Sequence, residues 1–225
     1  MFLDAVSLSS WFDSGCGAGP RARWLDGGAI EIEGEGVVKK ALPSAVKQWS
    51  TEINAAAMKF DLWPNFIAGF VATESGGDKN AHSYCCYGLM GLLPATASSM
   101  AGRPVSSSEL LDNAALNIEL GAKYVDQLMT KYKDNPIKTA AGYNAGSAKC
   151  GAGKCGAPNR FNLVADCANG VAIDYVTRII GYSNAARGDL PVTIPRSSSG
   201  ASPLLIAGIA LAIGSAIYFS RGVRA

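Results

Sequence analysis

With 225 residues the chain can bury one substantial core and carry appendages, while two full domains would be a squeeze. Its 20 basic residues outnumber its 18 acids by two, and two of the basic residues, Arg221 and Arg224, lie in an acid-free C-terminal stretch. Residues 1–202 are therefore formally neutral, 18 against 18, which argues against a nucleic-acid binder, since that function needs a basic face.

Taken in chain order, residues 1–41 mix an apolar start with Gly15, Gly17, Gly19-Pro20 and the acidic run Glu31 to Gly36, and read as an irregular N-terminal arm. No apolar core follows a basic start there, since Asp4 comes almost at once, so no secretory signal is expected. After Pro43, the spacing of Ala45, Val46, Trp49, Ile53, Ala56, Ala57 and Phe60 predicts a helix over 44–60. Pro64 opens a second helix that runs through Asn65 to Glu74 and stops at Gly76-Gly77. Glu74 is thus expected at the negative end of a helix dipole, which favours its protonated form. A short helix is predicted within 89–101 around Pro94. Ser106-Ser-Ser-Glu109 resembles a capping box opening a long helix to about Lys133, with a core stripe of Leu110, Ala114, Ile118, Gly121, Val125 and Leu128. Residues 137–145 read as helix after Pro136, 146–169 as Gly-rich loop and 170–187 as a last helix. With no long strand-period runs and no internal repeat, the class is mainly α.

Residues 188–202 are a Ser/Gly/Pro-rich linker, and 203–219 carry no charge at all. At about 1.5 Å per helical residue, this run comes near the lower limit for a hydrocarbon core of roughly 30 Å, so it is expected to be a transmembrane helix. Tyr218 and Phe219 stand where an interfacial aromatic belt would, and a basic tail, 220–225, follows. Gly208, Ala212 and Ala216 recur every fourth residue, a spacing that permits close helix pairing.

Within the central region, several blocks fall in one order. Glu74-Ser75-Gly76-Gly77 leads to Ala81-His82-Ser83, then Gly88-Leu89-Met90, Pro94-Ala95-Thr96-Ala97 and, at a distance, Tyr143-Asn144-Ala145-Gly146. This succession resembles the catalytic signature of the soluble lytic transglycosylase family, over roughly residues 42–187. The chain departs from the family pattern at Gly91, where a Gln follows Gly-Leu-Met, at Gly142, where an Ala precedes Tyr-Asn, and in a shorter stretch between Ser83 and Gly88.

The resemblance implies a lysozyme-like transglycosylase domain over 42–187. It also implies a peptidoglycan lytic transglycosylase that cleaves the MurNAc-GlcNAc β-1,4 bond and forms 1,6-anhydroMurNAc without a cofactor. Cleavage needs a proton on the leaving oxygen, and a carboxylic acid kept protonated by apolar surroundings supplies it. Glu74 is the expected catalytic residue, with Phe66, Phe70 and Val71 on its helix and Leu89 and Met90 as cleft walls. By the same resemblance, the substrate's N-acetyl group assists departure and Glu74 then acts as base on the C6 hydroxyl. Ser83, Met90, Tyr143 and Asn144 fall on family positions that contact substrate, with the Tyr143 hydroxyl expected near Glu74. Asp78 would be the second carboxylate of a hydrolytic muramidase, although its Gly-Gly-Asp-Lys turn fits an exposed loop. A non-catalytic, glycan-binding structural protein of an envelope or virion complex is the remaining alternative.

Cysteines stand at 16, 85, 86, 150, 155 and 167. In an exposed envelope enzyme, Cys85 or Cys86 is expected to bridge to one of Cys150, Cys155 and Cys167; the pairing cannot be read from spacing. No Cys-x-x-Cys pair is present, and with His82 as the single histidine no metal site is expected. The expected partners are peptidoglycan glycan strands, a lipid membrane through 203–219 and proteins of a virion or envelope complex. Positive-inside reasoning would place Arg221 and Arg224 in the cytoplasm with the catalytic region outside, with no visible export signal. Assembly into a phage virion with a membrane removes that difficulty, and a bacterial cell envelope is the other setting.

Overall fold

The computed structural model describes residues 22–145 and 170–188. Their order is β1 (Ala22–Leu25), β2 (Ala29–Ile32), a 3-10 turn (Ser44–Trp49), then α1 (Ser50–Lys59), α2 (Pro64–Glu74), α3 (Pro94–Ala101), α4 (Ser107–Asp112), α5 (Ala114–Lys131), α6 (Pro136–Ala145) and α7 (Gly170–Ala186). The described part is mainly helical. Its centre is α2, buried along nearly its whole length and packed on α7 and α1. Close approach of α2 to α7 is possible because Gly69 has no side chain: a Cβ there would run into the Ser183 hydroxyl and lie 2.7 Å from the Ile179 carbonyl oxygen.

The irregular arm is corrected by the structure in its second half. Residues 22–32 form an antiparallel hairpin around Asp26-Gly27-Gly28, with Ala22 opposite Ile32 and Leu25 opposite Ala29. The Asp-Gly between two short apolar runs was the available signal, and four-residue strands were too short for a period-2 pattern to stand out. Ile30 and Ile32 are buried in the core. The hairpin's outer edge is closed by Asn184 of α7, whose amide accepts from Ile30 N at 2.7 Å and donates to the Ile30 carbonyl at 2.8 Å and to the Val38 carbonyl at 2.8 Å. Asn65 of α2 adds a bond to the Gly28 carbonyl at 2.7 Å. These buried amides satisfy backbone groups that a lone two-stranded ribbon would leave unpaired.

Helix boundaries moved where side chains compete with the backbone. The helix expected over 44–60 starts as 3-10 and becomes α only at Ser50. The long helix expected from Ser106 is two. Ser106 does cap the first, accepting from Glu109 N at 3.1 Å, but the Glu109 carboxylate turns to Arg103 instead of closing the box. Asn113 then leaves helical geometry and caps α5 by accepting from Leu116 N at 3.0 Å. The helix predicted within 89–101 begins only at Pro94 and ends at Gly102. Before it, residues 89–92 continue a looped segment that is clamped at its start.

Among the described residues no helix is long and apolar enough to cross a membrane. The transmembrane expectation for 203–219 lies outside the described residues, as do most of the linker, the basic tail and the loop 146–169.

Candidate active site

Glu74 is the last residue of α2, and the helix is stopped by its neighbours. The Ser75 hydroxyl donates to the Val71 carbonyl at 3.0 Å or the Leu89 carbonyl at 2.9 Å and accepts from Gly77 N at 3.1 Å, so the helix end is tied to the loop that follows. Gly77 has φ 94, and a Cβ there would meet the Ala45 carbonyl carbon at 2.6 Å, which holds the turn flat against the 3-10 segment. Trp49 fixes the same turn by donating to the Gly77 carbonyl at 2.8 Å. The carboxylate is therefore delivered to one place by backbone geometry.

Around it, burial dominates. Loss of solvent pushes the Glu74 carboxyl up from 4.5 to about 7, against the opposing effects of a hydrogen bond from Tyr175 and the positive charge of Arg178. Phe66, Phe70, Val71 and Leu89, expected as the apolar surroundings, are all fully buried. A carboxyl poised near neutrality can give a proton and take one back within the same cycle, which is the property required of a group that serves as acid and then base.

Tyr175 and Arg178, both on α7, are functional neighbours that the sequence reading missed. The Tyr175 hydroxyl donates to Glu74 Oε1, and burial together with the adjacent carboxylate holds the phenol well above its ordinary value, so it remains a donor. The Arg178 guanidinium lies 6.0 Å from the Tyr175 ring centre. Their spacing, i and i+3 on one helix, puts both on the same face. No motif block included them, because the contact to Glu74 spans 101 positions of sequence.

The structure separates the expected substrate contacts. Ser83 is exposed, in a hairpin turn between His82 and Tyr87, where its hydroxyl accepts from Cys86 N at 3.2 Å and Cys85 N at 3.4 Å. Asn144 is exposed on α6. Met90 is corrected: it is fully buried and cannot touch a glycan from its present position. The Tyr143 hydroxyl lies near enough to Glu74 to feel its charge, and it donates to the Met90 carbonyl at 2.8 Å. Its ring stacks between Phe70, 4.7 Å away, and Tyr124, 5.1 Å away, continuing an aromatic row that runs back through Phe66 to Trp24 of the hairpin. Burial and the Glu74 charge raise the Tyr143 phenol well above its usual range. Met90 and Tyr143 thus build the wall under the acid.

Asn117 of α5, also absent from the motif reading, holds that wall in register. Its side chain accepts from Met90 N at 2.9 Å and donates to the Tyr87 carbonyl at 2.9 Å and the Leu110 carbonyl at 3.2 Å. Gly121 one turn later leaves room for the Met90 side chain, which a Cβ would overlap.

Two of the departures from the family pattern acquire a physical reason. Gly91 has φ 56, and a Cβ at this position would stand 2.5 Å from Glu74 Oε2, so the chain passes the acid as bare backbone. At Gly142 a Cβ would come within 2.7 Å of the Tyr132 ring, which occupies the space of the missing methyl.

Asp78 is exposed and its carboxylate accepts from Asn80 N at 2.9 Å, closing its own turn as expected. His82 is exposed, with Nδ1 2.9 Å from the Asn80 carbonyl oxygen. Among the described residues no group of His, Cys, Asp and Glu could hold a metal ion. Cys85 and Cys86 are free thiols whose expected partners, Cys150, Cys155 and Cys167, lie outside the described residues.

A mainly helical, lysozyme-like domain carrying a part-buried acid of raised pKa at a helix end is the class that fold and site define. Residues 51–155 match the family model described as "Transglycosylase SLT domain". The chain is 33% identical over 114 residues to a Haemophilus influenzae protein named "Putative soluble lytic murein transglycosylase", covering 49% of this chain and 19% of that one. Over 58 residues it is 43% identical to a "Transglycosylase" of Enterobacteria phage PRD1, covering 25% of this chain and 22% of the phage protein. The chain therefore spans about a fifth of the length of these curated relatives. Among solved structures, the lytic transglycosylase Slt of Pseudomonas aeruginosa superposes with a TM-score of 0.51 at 22% identity, over 64% of this chain and 25% of that one. The 70 kDa soluble lytic transglycosylase of Escherichia coli gives 0.54 at 20% identity, over the same shares. Together these matches support the lytic transglycosylase SLT family for this region of the chain.

Proposed function

We propose that this chain is a peptidoglycan lytic transglycosylase that cleaves the MurNAc-GlcNAc β-1,4 bond and leaves a 1,6-anhydroMurNAc end. The observation that carries the reading is Glu74: a largely desolvated, part-buried carboxyl at the end of α2, raised to about 7 and hydrogen-bonded by Tyr175, in the block that resembles the transglycosylase signature. In the first half of the reaction, neutral Glu74 protonates the glycosidic oxygen as the bond breaks. Departure leaves positive charge on the sugar, which the substrate's own N-acetyl group can cover. Glu74, now ionised and stabilised by the Tyr175 hydroxyl and the Arg178 charge, takes the proton of the C6 hydroxyl, and that oxygen closes the ring. No water is consumed, and Asp78 is turned into its own loop, which leaves this scheme without need of a second carboxylate. Exposed Ser83 and Asn144 are the residues we assign to hydrogen bonding with the glycan, above a wall built by Met90 and Tyr143.

The biological setting we propose is local wall penetration by a phage particle. It is supported by the similarity to the phage transglycosylase and by the uncharged run 203–219 as a membrane anchor beyond a linker at 188–202. Mass spectrometry of muropeptides released from purified sacculi tests the chemistry. Anhydro ends are expected; reducing ends would make the protein a muramidase, and absence of new ends would make it a glycan-binding protein.

A further inference from the structure

The loop that carries Ser83 also carries two adjacent thiols for which neither the transglycosylase reading nor the comparisons have a use. His82 and Tyr87 pair across a tight hairpin whose tip is Tyr84-Cys85, and Ser83 N donates to the Cys86 carbonyl at 2.9 Å to close it. Neighbouring side chains on extended backbone normally point to opposite faces. Here they converge: Cys85 Sγ and Cys86 Sγ are 2.7 Å apart, nearer than unbonded sulfurs normally settle. Both residues are partly exposed, so a small molecule can reach them.

We propose that Cys85 and Cys86 form an oxidation site, a dithiol that closes on itself to a vicinal disulfide when it meets a low-molecular-weight disulfide, and that closing it slows the adjacent acid centre. The two thiols are unequal in the way that stepwise exchange requires. Hydrogen bonds from Cys86 and Ser83 pull the Cys85 thiol below its ordinary value, whereas burial, with the Cys85 contact next, pushes the Cys86 thiol up to about 11. Cys85 is thus the attacking sulfur. Its thiolate displaces one thiolate from the oxidant RSSR and becomes the mixed disulfide. Cys86 then attacks Cys85 Sγ and releases the second RS⁻, and the two departing thiolates carry off the two thiol protons. The dithiol is oxidised by two electrons and RSSR is reduced to two RSH.

Coupling to the site follows from two contacts. The Ser83 hydroxyl takes the N–H groups of both cysteines, and the ring formed by a bond between neighbouring residues forces the peptide between them to turn, so both donors cannot stay on that oxygen. Cys86 also lies close enough to Glu74 for their charges to interact. The inference rests on the transglycosylase reading for its activity readout alone.

The test treats the reduced full-length protein with oxidised glutathione and maps its peptides without reduction. The peptide holding both cysteines should lose about 2 Da with no partner peptide attached. Cys86→Ser should instead trap the glutathione adduct on Cys85. A cross-link from either sulfur to Cys150, Cys155 or Cys167, two persisting adducts, or unreacted thiols would overturn the dithiol. On glycan strands, the oxidised protein should turn over about threefold more slowly or less, dithiothreitol should restore it, and Cys85→Ser/Cys86→Ser should ignore the oxidant. An unchanged rate in the closed form would overturn the coupling. Loss of catalysis in every state would sink the enzymatic reading and leave the mass result standing.

Discussion

Replacing Glu74 by Gln should abolish glycan cleavage and at the same time make the protein more stable, with a gain that depends on pH. The amide preserves shape and can accept the Tyr175 hydroxyl, yet it neither gives nor takes the proton. In the wild type, burial raises the folded-state value from 4.5 to about 7. Between those values the unfolded chain is ionised while the folded one still holds its proton, so folding stability falls as pH rises through this window. The full displacement corresponds to about 3 kcal/mol above pH 7. Residual solvent contact of the side chain brings the expectation to about 2 kcal/mol. For a domain of this size that is a rise in Tm of about 4–8 °C at pH 8. At pH 4, where both forms are protonated, the gain should vanish. Thermal unfolding of both proteins at the two pH values, with a sacculus-release assay beside it, tests the reasoning. Equal Tm differences at pH 4 and pH 8 would show that the site does not oppose the charge, and full activity in the variant would remove Glu74 as the catalyst.

Tyr175→Phe removes a donor to the Glu74 carboxylate and should move the alkaline limb of the pH–rate profile upward by about one pH unit; a limb that stays or moves down would refute the contact. Tyr143→Phe keeps the aromatic row but frees the Met90 carbonyl, so a stability loss of about 1–2 kcal/mol and lower turnover on purified glycan strands are expected, and unchanged denaturant midpoints would count against it. Asn117→Ala leaves three backbone groups of the 87–90 and 110 segments without their partner and should cost about 2–4 kcal/mol by urea unfolding, far beyond a surface substitution. Removing residues 203–225 should give a soluble, active protein; retention of the truncated form in the membrane fraction would refute the anchor.

How far the sequence reveals this architecture depends on the range of the interaction concerned. Pro64, the apolar run behind it and Gly76-Gly77 are local, and they place Glu74 at the end of α2 correctly. Ser106 was legible as a cap for the same reason. Asn113 was not, because the apolar stripe runs on past it from Leu110 to Ala114 and Ile118, and an exposed Asn beside that stripe carries no sign of which backbone group its amide will prefer. Long-range pairings were beyond reach altogether. Tyr175 meets Glu74 across 101 positions and Asn184 closes the hairpin edge across 154, and each requires the packing of α2 on α7 to be known first. The family resemblance gave Met90 and Tyr143 as substrate contacts; the burial of Met90 and the hydrogen bond from Tyr143 to its carbonyl depend on long-range packing that a motif does not carry.

The distinction between touching substrate and supporting what does orders the whole site. A carboxyl that must stay neutral near pH 7 needs apolar neighbours on most sides, and a residue such as Met90 serves this better buried than exposed. Once Met90 turns inward, its carbonyl needs a donor and its N–H an acceptor, which Tyr143 and Asn117 provide. The space for its side chain comes from Gly121, and the room for the chain to pass the carboxylate comes from Gly91. A side chain at position 91 would begin 2.5 Å from Glu74 Oε2, so only bare backbone fits beside that oxygen.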